Sequence, residues 1–245
     1  MQPATATKSL TRDTGSEIEG LPIRLVVGLG NPGARYARTR HNVGQRVVER
    51  LADRLGVTRF AARYAGSYAE TRGPRGPVAL LIPTTFMNLS GESVGPAAGS
   101  LRITRPQILV VHDELDLPFG TVRGKTEGGA GGHNGLRSLI AGTGGNDFAR
   151  VRLGVGRPPS DFRGDQADWV LARFSEPEAE VDALIDRGVE MTEAALDEGM
   201  EAAIARFHAS APGSRASRRR ERREETSDAG DEGDTDTPGT TENGG

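Results

Sequence analysis

The sequence predicts an α/β sandwich built on a mixed sheet within one domain. Three observations carry this expectation. Short β-branched apolar runs alternate with stretches whose apolar residues recur at helical spacing. One pair of strand-like runs is joined by the turn Gly73-Pro-Arg-Gly-Pro77, which makes those neighbours antiparallel. The polar, small-residue-rich ends frame a body from about Leu21 to Ala211, the length of a single domain.

The elements follow in order. Ile23–Val27 reads as a buried strand. Val47, Val48, Leu51 and Leu55 define a helix from Val43 to Leu55 that stops at Gly56. Ser67–Thr71 and Val78–Ile82 are the turn-joined strands. Ser90–Leu101 reads as a helix weakened by Gly95, Pro96 and Gly99. Ile108–His112 is a second buried strand, and Thr121–Lys125 a short one. The glycine loop from Gly128 to Gly135 leads into a helix through Leu136, Leu139 and Ile140. Val151, Leu153 and Val155 alternate as a strand. Glu178–His208 carries the longest helical pattern, with a break expected near Gly199. No internal repeat is visible.

The net charge of −3 conceals a segregated tail. Six of the 31 Lys and Arg and nine of the 34 Asp and Glu lie beyond Ser214, so the body is neutral, with 25 of each. Residues 212–245 run from an arginine cluster (Arg215, Arg218, Arg219, Arg220, Arg222, Arg223) into an acidic stretch. With few apolar side chains to repay ordering, this tail and residues 1–20 are expected to be disordered. The absence of cysteine excludes disulfides, thiolate metal sites and a cysteine nucleophile, and fits a cytoplasmic setting. No apolar run is long enough to span a membrane, and no signal-peptide pattern opens the chain.

Gly28-Leu-Gly-Asn-Pro-Gly33 follows the first strand and matches the spacing of a dinucleotide-binding turn. That reading requires a second strand ending in an acid about 20 residues on. The segment holding Glu49 and Asp53 instead has helical periodicity, so the glycines read as a tight turn above a strand.

Scarce residues gather in a few loops. Four of the six asparagines, Asn31, Asn42, Asn88 and Asn134, and three of the four histidines, His41, His112 and His133, fall in short motifs. Asn31, Asn88 and Asp113 follow predicted strands, where α/β folds bind ligands. Each also has an ordinary reading as a turn or cap residue. His112, Asp113, Glu114 and Asp116 form a candidate metal set, although strand alternation would separate neighbours. A serine hydrolase lacks support because no G-x-S-x-G elbow occurs. One histidine, one carboxylate and several amides suit direct attack by water: imidazole takes the proton, and amides orient substrate and oxyanion.

Together the segments VGLGNPGARYARTRHNVG, PTTFMNLSG, HDELDLPFG, GGAGGHNGLRS and FARVRLGVGRP resemble the bacterial peptidyl-tRNA hydrolase family. They occur in family order and span about Ile23 to His208. The resemblance implies a monomeric, three-layer α/β/α protein with a twisted mixed sheet and no metal or cofactor. It implies hydrolysis of the ester joining a peptide to the 3′-terminal ribose of tRNA. By motif position, His41 is the base and Asp113 its partner. Asn31 and Asn88 hold the peptide and terminal nucleotide, and Asn134 positions water or substrate. Tyr36, Phe86 and Met87 line the cleft, and His133 supports it. Lys125 and Arg152 match a pair that contacts the 5′ phosphate of tRNA. Ala130 departs from a position that is often histidine in the family. The two ends of the chain lie outside the family core.

Overall fold

The computed structural model describes residues 20–209. The terminal segments expected to be disordered, including the arginine cluster, lie outside the described residues except for Gly20.

Seven strands form one sheet in the order β2-β3-β4-β1-β5-β7-β6. The elements are β1 (Leu25–Gly28), α1 (Val43–Arg54), β2 (Ala61–Arg63), β3 (Gly66–Gly73), β4 (Gly76–Pro83) and α2 (Gly91–Leu101). They continue with β5 (Ile108–Glu114), β6 (Val122–Lys125), α3 (Asn134–Thr143), β7 (Ala149–Gly154), α4 (Gln166–Leu171), α5 (Glu178–Glu198) and α6 (Met200–Ala209). The strands β4, β1, β5 and β7 run parallel, while β2, β3 and β6 are antiparallel to their neighbours. The sheet is therefore mixed, as the turn near Gly73–Pro77 predicted.

Both faces of the sheet are covered, which explains why β1 and β5 are apolar without alternation. On one face, Val26, Leu109, Val111 and Val151 pack with Val47 and Leu51 of α1 and Leu184 and Ile185 of α5. On the other, Leu25, Val27 and Val110 pack with Val94 and Ala97 of α2 and Leu136 and Leu139 of α3. This is the three-layer arrangement.

The glycines that weaken α2 as an isolated helix allow it to pack. A Cβ on Gly91 would collide with the Ser138 carbonyl of α3, and one on Gly95 would lie 2.5 Å from the Gly142 carbonyl. A Cβ on Gly142 would lie 2.6 Å from the Gly91 carbonyl, so the two helices meet backbone to backbone. The long C-terminal pattern divides at Gly199, where φ is +94°, a conformation that favours glycine.

Two elements go beyond the periodicity. β2 is a three-residue, exposed edge strand with no apolar alternation to reveal it. α4 is a six-residue helix capped by a reciprocal pair: the Asp168 amide donates to the Asp165 carboxylate, and the Asp165 amide to the Asp168 carboxylate.

Candidate active site

The C-terminal ends of β4, β1 and β5 share one edge of the sheet, and the segments leaving them surround a cleft of about 750 Å³. That size suits a small ligand or the end of a larger one. Asn31, Tyr36, His41, Phe86, Met87, Asn88, Asp113, His133 and Asn134, nine of the predicted site residues, line it.

The glycine turn shapes one wall. A Cβ on Gly28 would lie 2.8 Å from the Gly44 carbonyl, and one on Gly30 would lie 2.6 Å from Gln45 Oε1. These glycines let the loop press against α1, which begins only at Val43. No helix opens within the turn to receive a pyrophosphate, so the fingerprint spacing serves packing.

Asn31 is held tightly at the end of this turn. Its amide N–H donates to Asn42 Oδ1 at 2.9 Å, and Asn42 Nδ2 returns a bond to its carbonyl at 2.9 Å. The Met87 amide donates to Asn31 Oδ1 at 2.9 Å. The side-chain carbonyl thus joins two cleft walls, and Nδ2 is the end of the amide left for a ligand.

His41 sits in a 3-10 turn, Arg40–Asn42, just before α1. Its Nδ1 lies 2.9 and 3.0 Å from the two carboxylate oxygens of Asp113, the sixth residue of β5. An ionised carboxylate only accepts, so the pair assigns the proton to Nδ1 and leaves Nε2 with a lone pair. Burial pushes the His41 pKa down, but the charge and hydrogen bond of Asp113 outweigh it and leave the pKa raised. Burial would raise the Asp113 pKa. The flanking imidazoles, His41 foremost and then His133, instead hold it well below the usual carboxylate range.

His133 completes this arrangement. As the N-cap of α3, its Nδ1 accepts from the Gly135 and Leu136 amides at 3.1 and 3.3 Å. Its proton is therefore on Nε2, which donates to Asp113 Oδ1 at 3.0 Å. Asp113 is only 3% exposed, and its charge is met by two imidazole N–H groups. His112 lies behind them, edge-on to the His133 ring. Its Nδ1 donates to the Asp113 carbonyl at 2.7 Å. Burial pushes its pKa down to about 3, so it is neutral.

The metal set suggested by adjacency, His112 with Asp113, Glu114 and Asp116, does not assemble. Among the described residues, the possible ligand atoms that converge belong to His41, Asp113 and His133, within 4.8 Å of one another. Both imidazoles present N–H groups there, and the His133 tautomer is fixed by backbone donors at its other nitrogen. The trio is built for hydrogen bonding rather than for coordination.

The remaining predicted residues divide by position. Asn88 and Phe86 are exposed at the cleft rim, Tyr36 is half-buried, and Met87 is buried beneath them. Asn134 opens α3, and its Oδ1 accepts from Arg137 Nη1 at 2.9 Å. Lys125 and Arg152 lie outside the cleft on β6 and β7. Register places Lys125 opposite Arg150 and Arg123 opposite Arg152, with all four on one face by strand alternation. Arg152 Nη1 lies 3.6 Å from Glu114.

Sequence reasoning missed Arg40 and the α4 wall. Arg40 is 1% exposed and stacks 3.5 Å from the Trp169 ring. It donates to the Arg173 carbonyl at 2.7 Å, to Ser175 Oγ at 3.1 Å and to Glu176 at 3.2 Å. This clamp holds α4, whose Gln166, Ala167, Val170 and Leu171 line the cleft, against the turn bearing His41. The Asp165–Asp168 spacing and the single tryptophan were the available signals.

Comparison with known proteins identifies the family of the chain. The family model for peptidyl-tRNA hydrolase matches residues 25–216. The chain is 48% identical over 187 residues to the peptidyl-tRNA hydrolase of Mycobacterium tuberculosis H37Rv, covering 76% of this chain and 97% of that one. It is 47% identical over 181 residues to that of Sorangium cellulosum, covering 74% and 81%. A crystal structure of peptidyl-tRNA hydrolase from Acinetobacter baumannii superposes with a TM-score of 0.69 at 39% identity, covering 76% and 95%. With its motifs, its fold and its relatives in agreement, this chain belongs to the peptidyl-tRNA hydrolase family.

Proposed function

We propose that this cleft hydrolyses the ester between a peptide and the 3′-terminal ribose of tRNA by direct attack of water, with His41 as base. The observation that carries this reading is the His41–Asp113 pair, whose carboxylate leaves Nε2 as an acceptor on a residue that lines the cleft. Water oxygen bonds to the ester carbonyl carbon while Nε2 takes its proton. As the tetrahedral intermediate collapses, the bond to the ribose oxygen breaks. The imidazolium returns its proton to that oxygen. The products are tRNA with a free 3′ end and a peptide carboxylic acid, which ionises by losing its proton to solvent.

The amides then have distinct tasks. Asn31 offers Nδ2 to the peptide, because its Oδ1 is occupied by the Met87 amide. Asn88 holds the peptide or terminal nucleotide at the rim, and Asn134 orients water or substrate from the start of α3. Tyr36 and Phe86 supply apolar surface, with Met87 packed below. His133 holds Asp113 in place. Neutral amide contacts favour an N-blocked peptide over a free aminoacyl ester, whose ammonium would be desolvated.

Lys125 and Arg152 would dock the 5′ phosphate of the acceptor stem. Cation facing cation across β6 and β7 is unfavourable alone and is offset by a bound anion. The working unit in this reading is the domain of residues 21–211, acting as a cytoplasmic monomer without metal or cofactor. Among the described residues, no helix is long and apolar enough to cross a membrane.

The test is incubation of purified protein with N-acetyl-aminoacyl-tRNA, without added metal or nucleotide. Release of tRNA that is lost in His41→Ala is the expected result. No release by the wild type, or unchanged release by the variant, overturns the mechanism. A Lys125→Ala variant should slow tRNA substrates more than minimal esters; equal losses would remove the proposed phosphate dock.

A further inference from the structure

We infer that Arg137 is a specificity-determining residue that binds the phosphodiester joining the last two nucleotides of the substrate. This rests on the reading above that the ester end of tRNA enters the cleft.

Arg137 and Arg157 are the described cations lining the cleft. Arg157 is already paired with Asp116. Arg137 is exposed and has no carboxylate partner among the described residues. Its one described side-chain bond, to Asn134 Oδ1, steers the guanidinium toward the residue assigned to substrate positioning and leaves most of its five donors open. A cation with open donors in a substrate cleft is suited to a substrate anion.

Position on α3 narrows which anion fits. The Arg137 amide donates to the His133 carbonyl at 3.0 Å, so Arg137 lies in the first turn of α3. Its side chain is i+3 from Asn134 and shares that helix face. His133, at the cap, bonds directly to Asp113. Arg137 therefore stands one helical turn from the cap that bonds Asp113, and with the ester at His41 the proposed partner is the first link beyond the esterified ribose. In RNA that link is a phosphodiester. Guanidinium matches its two non-bridging oxygens in a bidentate fork, and the positive end of α3 adds to the field.

The experiment compares three N-acetyl-aminoacyl esters: of adenosine, with no phosphate; of cytidylyl-adenosine, with one; and of full-length tRNA. Arg137→Gln removes the charge and keeps an amide donor for Asn134. We expect kcat/KM to fall about tenfold on the dinucleotide and tRNA esters. Most of that loss should appear in KM, with the adenosine ester unchanged. Arg137→Lys should recover part of the loss. Equal losses on all three esters would place Arg137 on the peptide or the oxyanion and overturn the proposal, as would no loss on any. Wild-type inactivity toward every ester would instead defeat the underlying functional reading, so the two failures are distinguishable.

Discussion

His133 Nε2 stands 3.0 Å from Asp113 Oδ1, the same oxygen that His41 Nδ1 approaches at 2.9 Å. The carboxylate that holds the proposed base is thus itself held from the far side, through a ring whose other nitrogen caps α3. Replacing His133 with Asn keeps a capping oxygen but loses the bond to Asp113. A hydrogen bond to a charged group contributes about 1.5–3 kcal/mol, so His133→Asn should lower kcat by about 10- to 100-fold. Steady-state kinetics beside a thermal melt will check this; a lost melt with unchanged kcat in the folded fraction contradicts it.

Activity should depend on pH through His41. Its pKa is raised above 6.5, and the neutral form is the proposed base, so the acid limb of kcat/KM is expected to lie above pH 6.5. Asp113→Asn removes the charge that raises this pKa. Its amide can also donate to Nδ1, which moves the imidazole proton to Nε2 and blocks the base. A loss of about three to four orders of magnitude is expected, by analogy with carboxylate-to-amide change in a catalytic triad. A pH–rate profile of both proteins decides the point.

Stability should fall with acid through His112. Its native pKa of about 3 lies below the ordinary 6.5, so the unfolded chain binds a proton that the native state refuses. The native state therefore loses stability as pH falls from 6.5 toward 3. The raised pKa of His41 acts in a different window, because its contribution is already complete below 6.5. Urea unfolding at pH 6 and pH 4.5, both below the His41 window, should show a loss of at least about 1.4 kcal/mol, and His112→Asn should reduce it.

Arg40 ties α4 to the turn bearing His41, through Trp169 and the carbonyl of Arg173. Arg40→Met fills much of the volume but leaves that carbonyl without its donor. A stability loss of about 1–3 kcal/mol is expected in denaturant titration. KM should rise as well, because Val170 and Leu171 form part of the cleft wall. An unchanged KM in the folded variant would separate the clamp from the cleft.

Periodicity revealed most of the layered fold because strands covered on both faces and amphipathic helices leave strong patterns. α4 and β2 escaped because six residues and three residues carry too little pattern. The candidate site was legible in its polar residues: scarce His and Asn gathered in a few loops are conspicuous in a chain rich in Arg. The convergence of His41 and His133 on one oxygen was not, since 92 residues separate them and only the sheet brings their loops together. Arg40 was hidden for another reason. In a chain with 29 arginines, a buried one looks like any surface cation until its aromatic partners are seen.

The glycine contact between α2 and α3 has a mechanical consequence. Gly91 follows the turn carrying Met87 and Asn88, and Ser138, which bonds its amide at 2.9 Å, is one turn along the helix opened by Asn134. With only the small Ser138 hydroxyl between these backbones, there is little to repack. The segments bearing Met87 and Asn134 are thus joined almost at the main chain, like one jaw. If the cleft takes a peptide as proposed, widening is expected at the opposite wall, where α4 is held by the stacked guanidinium of Arg40.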